Sequence, residues 1–209
     1  MSGLEAGMQA LLARREAELS DGARPVGWKV GFNLPALWPQ LGIDAPVAGY
    51  LTSSTVVEPG AEVSLAGWTR PVLEPEVAIT VGDGGGVAAL APAIELIDAD
   101  LPFEDVEAIL ARNIFHRAVA FGAPAPRPSL DGFACRVTRN GEEAGAADST
   151  EDPADTVARV ADFLAAHGAR LVPGDRIIAG TLTPPLPVAP GDEVAVDLGA
   201  LGGVSLRFA

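Results

Sequence analysis

The stretch Val72–Val81 constrains this chain more than any other. Apolar residues recur at alternate positions along it, and a Gly82-Asp83-Gly84-Gly85-Gly86 turn closes it, which is the pattern of a β-strand. Residues two apart on a strand share a face. Leu73, Val77, Ile79 and Val81 therefore form one side, and Val72, Glu74, Glu76, Ala78 and Thr80 the other. The first side demands a core to cover it. The second sets two carboxylates side by side, where each tends to hold a proton against its neighbour's charge. Two readings are open. A divalent cation resolves the conflict, or the strand lies at a sheet edge with its acids in water, which Pro75 permits.

A second acidic run supplies a third candidate ligand. Ala93-Ile94-Glu95-Leu96-Ile97-Asp98 also reads as a strand, and alternation sends Glu95 and Asp98 to opposite faces, so only one can join the pair. Three carboxylates suit a hard cation such as Mg²⁺ or Mn²⁺, with water or substrate completing its shell. Lys29 stands out for another reason: it is the only lysine among 14 basic side chains. Arginine is a rigid, permanently charged fork, whereas lysine is a compact ammonium whose pKa falls readily on burial. A site needing a point charge or a titratable amine resists arginine; a stray surface lysine is the alternative.

Other chemistry has little to draw on. His116 and His167 are the only histidines, too few for a histidine metal site or a serine-type triad. His167 falls at a helix end, where an imidazolium suits the dipole; His116 stays ambiguous. The glycine-rich turn fits neither a P-loop nor a dinucleotide fingerprint. Trp28, Trp38 and Trp68 read as core or interface packing rather than pocket walls.

The remaining apolar runs are short and separated by the chain's 24 Gly and 18 Pro, which predicts many short strands joined by turns. Helices are expected over 3–19, where Leu4, Met8, Leu11 and Leu12 keep helical spacing, over 104–112 with Pro102 near its start, and over 153–167 with Gly168 as the stop. Asn33 is expected to cap a short helix that ends near Gly42. Strands are expected over 26–31, 55–57, 62–65, 115–121, 133–138, 176–179, 193–197 and 203–208, with a hairpin turn at Arg139-Asn140-Gly141-Glu142. The fold class is α+β, a β-rich single domain.

A formal charge of −14 opposes nucleic acid and anionic membranes. It also repels an anionic substrate at long range, so a carboxylate site must supply its own local cation. The lone Cys135 excludes an intrachain disulfide, fits a reducing compartment and reads as a small apolar strand residue. The N-terminal stretch lacks a secretory h-region and carries Glu5, Glu16 and Glu18, and no run reaches the length of a membrane span. A cytoplasmic protein is expected.

Several blocks together resemble the 2-oxopent-4-enoate hydratase family. They are Gly27-Trp28-Lys29-Val30-Gly31-Phe32, Gln40–Pro46, Gly49-Tyr50-Leu51, Pro71–Ala78 with its Glu-x-Glu, Pro92–Asp98, Pro173–Thr181, Gly191-Asp192-Glu193 and Leu201–Phe208. They occur in family order over most of 26–208. The resemblance places the chain with 4-oxalocrotonate decarboxylases and acylpyruvate hydrolases in the fumarylacetoacetate hydrolase superfamily. It implies mixed sheets with the fumarylacetoacetate hydrolase-like C-terminal domain fold over 26–209, behind an N-terminal helix over 1–25. It further implies Mg²⁺ or Mn²⁺ held by Glu74, Glu76 and Glu95, a catalytic Lys29, substrate contacts from Asn113 and Thr181, and a homo-oligomer. The substrate it implies is a small 2-oxo acid, handled through a metal-stabilised enolate.

The departures sharpen this. An acid usual one residue after Pro46 is here Val47, Asn113 is followed by bulky Ile114-Phe115-His116-Arg117, and Thr181 replaces a common serine. Loss of CO₂ needs an electron sink but no water-activating base, so Val47 shifts weight from hydration toward decarboxylation. An acylpyruvate-type C–C hydrolase, with His116 as base, and a non-catalytic 2-oxo-acid binding protein are the alternatives.

Overall fold

The computed structural model describes residues 2–101, 105–125 and 129–209. The chain opens with α1 (Gly3–Ser20), β1 (Pro25–Gly31), α2 (Trp38–Leu41) and β2 (Val47–Thr52). Short β3 (Val56–Val57) and β4 (Glu62–Val63) precede the long hairpin of β5 (Pro71–Val81) and β6 (Val87–Asp98). Next come α3 (Val106–Ala111), β7 (His116–Phe121), β8 (Cys135–Arg139), β9 (Glu142–Ala147) and α4 (Pro153–Ala166). The chain closes with β10 (Arg176–Ile178), β11 (Leu186–Pro187), β12 (Glu193–Asp197) and β13 (Gly203–Phe208).

The strands form two sheets. The larger runs β2-β1-β10-β5-β6-β7-β3, with β11 also pairing β5, and the smaller runs β4-β13-β12-β8-β9. Both are mixed, because β1 runs parallel to β10, β3 to β7 and β4 to β13. Most apolar side chains of the sheets and helices meet in one core, which Leu73, Val77, Ile79 and Val81 enter from β5 as alternation requires. Met8 and Leu11 of α1 join that same core. The opposite face of the large sheet carries a smaller cluster of Ala78, Ala91, Ala93, Val119 and Ile178. Among the described residues no helix is long and apolar enough to cross a membrane.

Several expectations are corrected. Asn33 caps nothing: the turn at Pro35–Leu37 has no side-chain cap, while Gly42, at φ 66°, does end α2. Strands β2 and β11 lie where none was expected, β9 is the returning arm of the hairpin expected at Arg139–Glu142, and β6 begins at Val87 rather than Ala93. The start of the helix expected over 104–112 cannot be followed, since Pro102 and Glu104 lie outside the described residues; α3 is capped by the Asp105 side chain at Ala108 N–H. His167 caps the C-terminal end of α4 and packs its ring 4.6 Å from that of Phe163. Burial holds its pKa below the usual value, favouring the neutral ring over the imidazolium the helix dipole would suit. Cys135 is buried in β8, and burial pushes its thiol up to about 11, so it behaves as an apolar residue.

Candidate active site

Sheet parity gathers the site. Glu74 of β5 stands directly opposite Glu95 of β6, and Lys29 pairs with Ile178, which pairs with Ala78. Cross-strand partners share a face, as do residues two apart. Lys29, Glu74, Glu76 and Glu95 therefore point the same way, and the three acids each offer an oxygen within 4.8 Å of the others. Lys29, Glu76 and Glu95 are buried, and Glu74 is partly exposed to a cavity. Asp98, as alternation demands, is elsewhere; its carboxylate accepts the backbone N–H groups of Thr69 and Arg70.

The charges are unevenly matched. Lys29 Nζ donates to Glu95 Oε1 at 2.5 Å and to the Ile114 carbonyl at 3.1 Å. His116 Nδ1 donates to the same Glu95 oxygen at 2.7 Å, and its Nε2 faces the Thr55 hydroxyl at 2.9 Å. Burial alone would raise the Glu95 pKa, but the Lys29 charge and the His116 bond outweigh it and hold the carboxylate below its usual range. Burial lowers the His116 pKa despite Glu95, which favours the neutral ring. The other two acids lack such partners. Burial, reinforced by the Glu95 charge, pushes Glu74 up to about 7 and Glu76 well above the ordinary value.

Glu76 Oε2 accepts the Gly180 N–H at 2.7 Å, whereas Glu76 Oε1 and Glu95 Oε2 are buried without a hydrogen-bond partner. Orphaned buried carboxylate oxygens are costly. Oxygens left free beside a third carboxylate are the donor set a hard divalent cation takes, so these residues fit such an ion.

The local sequence explains the geometry. Pro75 occupies a central strand, not an edge, because it falls in the gap between β10, which pairs as far as Ala78, and β11, which begins opposite Leu73. No ladder partner there needs its missing N–H. Gly49 lies opposite Lys29, and a Cβ on it would come 2.7 Å from Asn113 Oδ1 and 2.9 Å from Lys29 Cγ. The lysine stem thus crosses where only hydrogen fits. Asn113, Ile114 and Phe115 all sit at positive φ, between 53° and 63°, and this turn aims the Ile114 carbonyl at Lys29. The Asn113 amide secures the turn by bonding both the N–H and the C=O of Tyr50 at 2.9 Å.

Beside the acids lies a cavity of about 320 Å³, lined by Lys29 and Glu74, by apolar Val72, Ile97 and Phe115, and by Thr181. Of the two residues expected at the substrate, Thr181 borders this space and Asn113 does not: its amide is spent on Tyr50. None of the three tryptophans lines it either. His116, ambiguous in sequence, proves to be a partner of Glu95. The pattern hid it because the β6–β7 register shifts between Leu96 and Ile97, so alternation alone misplaces the start of β7.

Fold and site together define a class: an α+β protein of mixed sheets with three clustered carboxylates, two of them buried, beside a lysine. The chain belongs to the fumarylacetoacetate hydrolase family, since residues 36–209 match the model described as "Fumarylacetoacetate (FAA) hydrolase C-terminal". It is 30% identical to a 4-oxalocrotonate decarboxylase of Pseudomonas putida, over 94% of this chain and 81% of that one. It is likewise 30% identical to a 2-hydroxyhexa-2,4-dienoate hydratase of Comamonas testosteroni, over 95% and 82%. The structure of 4-oxalocrotonate decarboxylase from Pseudomonas putida G7, complexed with magnesium and adipate, superposes with a TM-score of 0.85 at 24% identity, covering 97% of this chain and 85% of that one. That likeness establishes the shared fold.

Proposed function

We propose that this chain is a divalent-metal-dependent lyase, a decarboxylase or hydratase, acting on a small 2-oxo-alkenoate. The observation that carries the reading is the convergence of Glu74, Glu76 and Glu95 with two buried oxygens unpartnered, next to Lys29. Decarboxylases and hydratases among its relatives, similar over nearly the whole chain, support it.

Glu74, Glu76 and Glu95 would hold Mg²⁺ or Mn²⁺. The chemistry a bound ion supplies is Lewis acidity toward the 2-oxo and carboxylate oxygens of a chelating substrate. Lys29 borders the cavity with its ammonium fixed between Glu95 and the Ile114 carbonyl. From there Nζ would balance negative charge developing on the 2-oxo oxygen as a second carboxylate, conjugated with that group, leaves as CO₂, and would donate a proton to the carbon on which the electron pair settles. His116 and the Asn113 turn hold Glu95 and Lys29 in place. The apolar walls limit water.

Decarboxylation is favoured over hydration. Val47 is buried in β2, where the resembling family carries an acid, and Glu74 is the one carboxylate among the described residues lining the cavity. A C–C hydrolase needs a base for water, and His116 is turned to Glu95 and Thr55 without bordering that space. A homo-oligomer in the cytoplasm belongs to the same proposal; light scattering checks the oligomer and cell fractionation the compartment.

The test is turnover of a 2-oxo-alkenoate with Mg²⁺ or Mn²⁺, scored for CO₂ against a 4-hydroxy product. Lys29→Ala and Glu76→Ala should each abolish turnover in folded protein; full activity in either removes the mechanism. Stabilisation by Mg²⁺ and oxalate without any turnover would point instead to a binding protein.

A further inference from the structure

We propose that Thr55 is a positioning residue for the metal site: acting through His116, it holds Glu95 so that one carboxylate oxygen is left free to face the ion. This rests on the reading of Glu74, Glu76 and Glu95 given above. Strand parity alone would keep His116 out of the site. Leu96 of β6 faces Ala118 of β7, and Ala118 lies in the main core, so a regular strand would send His116 into that core as well. Instead Ile97 faces His116, which makes Arg117 the extra residue of a bulge. A bulge re-aims the side chains beyond it, and here it turns His116 onto the face of Glu95.

Thr55 secures the far side of the ring. Its carbonyl accepts the Val119 N–H at 2.9 Å, and its own N–H donates to the Thr52 carbonyl at 3.2 Å, so its backbone is tied both to β7 and to the end of β2. Val119 in turn pairs with Glu95. The buried imidazole spans from Thr55 to Glu95: Nε2 meets the Thr55 hydroxyl at 2.9 Å and Nδ1 meets Glu95 Oε1 at 2.7 Å. Lys29 donates to that same oxygen at 2.5 Å. With both donors on Oε1, the buried Oε2 is left without a partner. Lys29 carries its charge on a flexible stem and is the group the chemistry above draws on for a proton, whereas the imidazole is rigid and held at both nitrogens. The constant restraint on Glu95 is the Thr55–His116 pair. Neither residue borders the cavity, so a change in either reaches the ion through Glu95.

Titration of chelator-treated protein with Mn²⁺, followed by electron paramagnetic resonance of the free ion, reads this without turnover. Thr55→Val should weaken Mn²⁺ binding about fivefold or more, and Thr55→Ser should stay within about twofold of the natural protein. His116→Asn keeps an amide nitrogen where Nδ1 stands and nothing at Nε2. It should therefore match Thr55→Val, and the double variant should bind no more weakly than either alone. His116→Leu, which removes both bonds, should lose about tenfold to a hundredfold. Thermal melts check that each variant is folded; if a His116 variant is not, the two Thr55 variants, at a partly exposed position, carry the test. Mn²⁺ affinity unchanged in Thr55→Val, or losses that add in the double variant, overturn the proposal while binding by the natural protein leaves the site reading standing. No Mn²⁺ binding by the natural protein overturns both.

Discussion

The two faces of the β5–β6 hairpin share a backbone and a degree of burial, yet they follow opposite rules. One face presents Leu73, Val77, Ile79, Ile94 and Leu96, every one nearly inaccessible and packed in the main core. The other presents Glu76 and Glu95, equally inaccessible, with Glu74 between them and the cavity. Apolar burial stabilises at roughly 25 cal/mol per Å², whereas a buried carboxylate stabilises nothing without a partner. The hairpin therefore spends one face on stability and keeps the other for holding charge.

The largest break in that contrast is removal of the cation paired with Glu95. Lys29→Met should abolish turnover and, by leaving Glu95 without its ion pair, destabilise metal-free protein by about 3–5 kcal/mol; urea melts read the loss, and an unchanged midpoint would deny that the pair is buried. On the apolar face, Leu96→Ala should cost about 2–5 kcal/mol through the cavity it opens, while turnover per folded molecule stays near normal. Gly49→Ala tests the seam where the lysine passes. The added methyl must displace Lys29 or Asn113, so a loss of about 1–3 kcal/mol should accompany a drop in kcat of tenfold or more.

The smallest effect is a pH slope. Glu74 and Glu76 titrate higher in the folded chain than their ordinary 4.5. As pH rises through that window the unfolded chain gives up protons that the folded chain keeps, so stability falls. His116, depressed below 6.5 when folded, opposes this at lower pH, because unfolded chain binds a proton that the folded ring refuses. His167, also depressed, acts in the same sense, and above pH 6.5 this opposition fades and the carboxylates dominate. Chelator-treated protein should therefore melt at progressively lower temperature from pH 6.5 to 8, and saturating Mg²⁺ should flatten the slope. A flat profile in chelator would mean that the acids are not confined together.

Much of this was legible in the residues themselves. Alternation placed Glu74 and Glu76 on one face and separated Glu95 from Asp98, and the structure keeps that parity. Pro75 kept an edge strand open as a reading, because the interruption between β10 and β11 that accommodates it is tertiary. Pro92 similarly lies inside β6 just beyond the end of β7, its carbonyl accepting from Gly122 N–H, so no local signal announced the strand's early start. Strand β2 escaped because every residue in Val47–Thr52 is buried, leaving no alternation to read. The resemblance pointed to Asn113, but its contact with Tyr50 crosses 63 residues of sequence and no spacing rule reports it.

The left-handed turn at Asn113–Phe115 has a consequence for how such a chain can be improved. Its three residues occupy a conformation glycine would adopt freely, at a cost of the order of 1–3 kcal/mol each for bulky side chains. Glycine at Ile114 would relax that tension, but it would also empty a buried place in the core, a loss of about 2–5 kcal/mol that outweighs the relief, and slacken the carbonyl that steadies the ammonium. The side chain that strains the bend thus also anchors it, so one residue serves both the packing of the core and the posture of the ammonium.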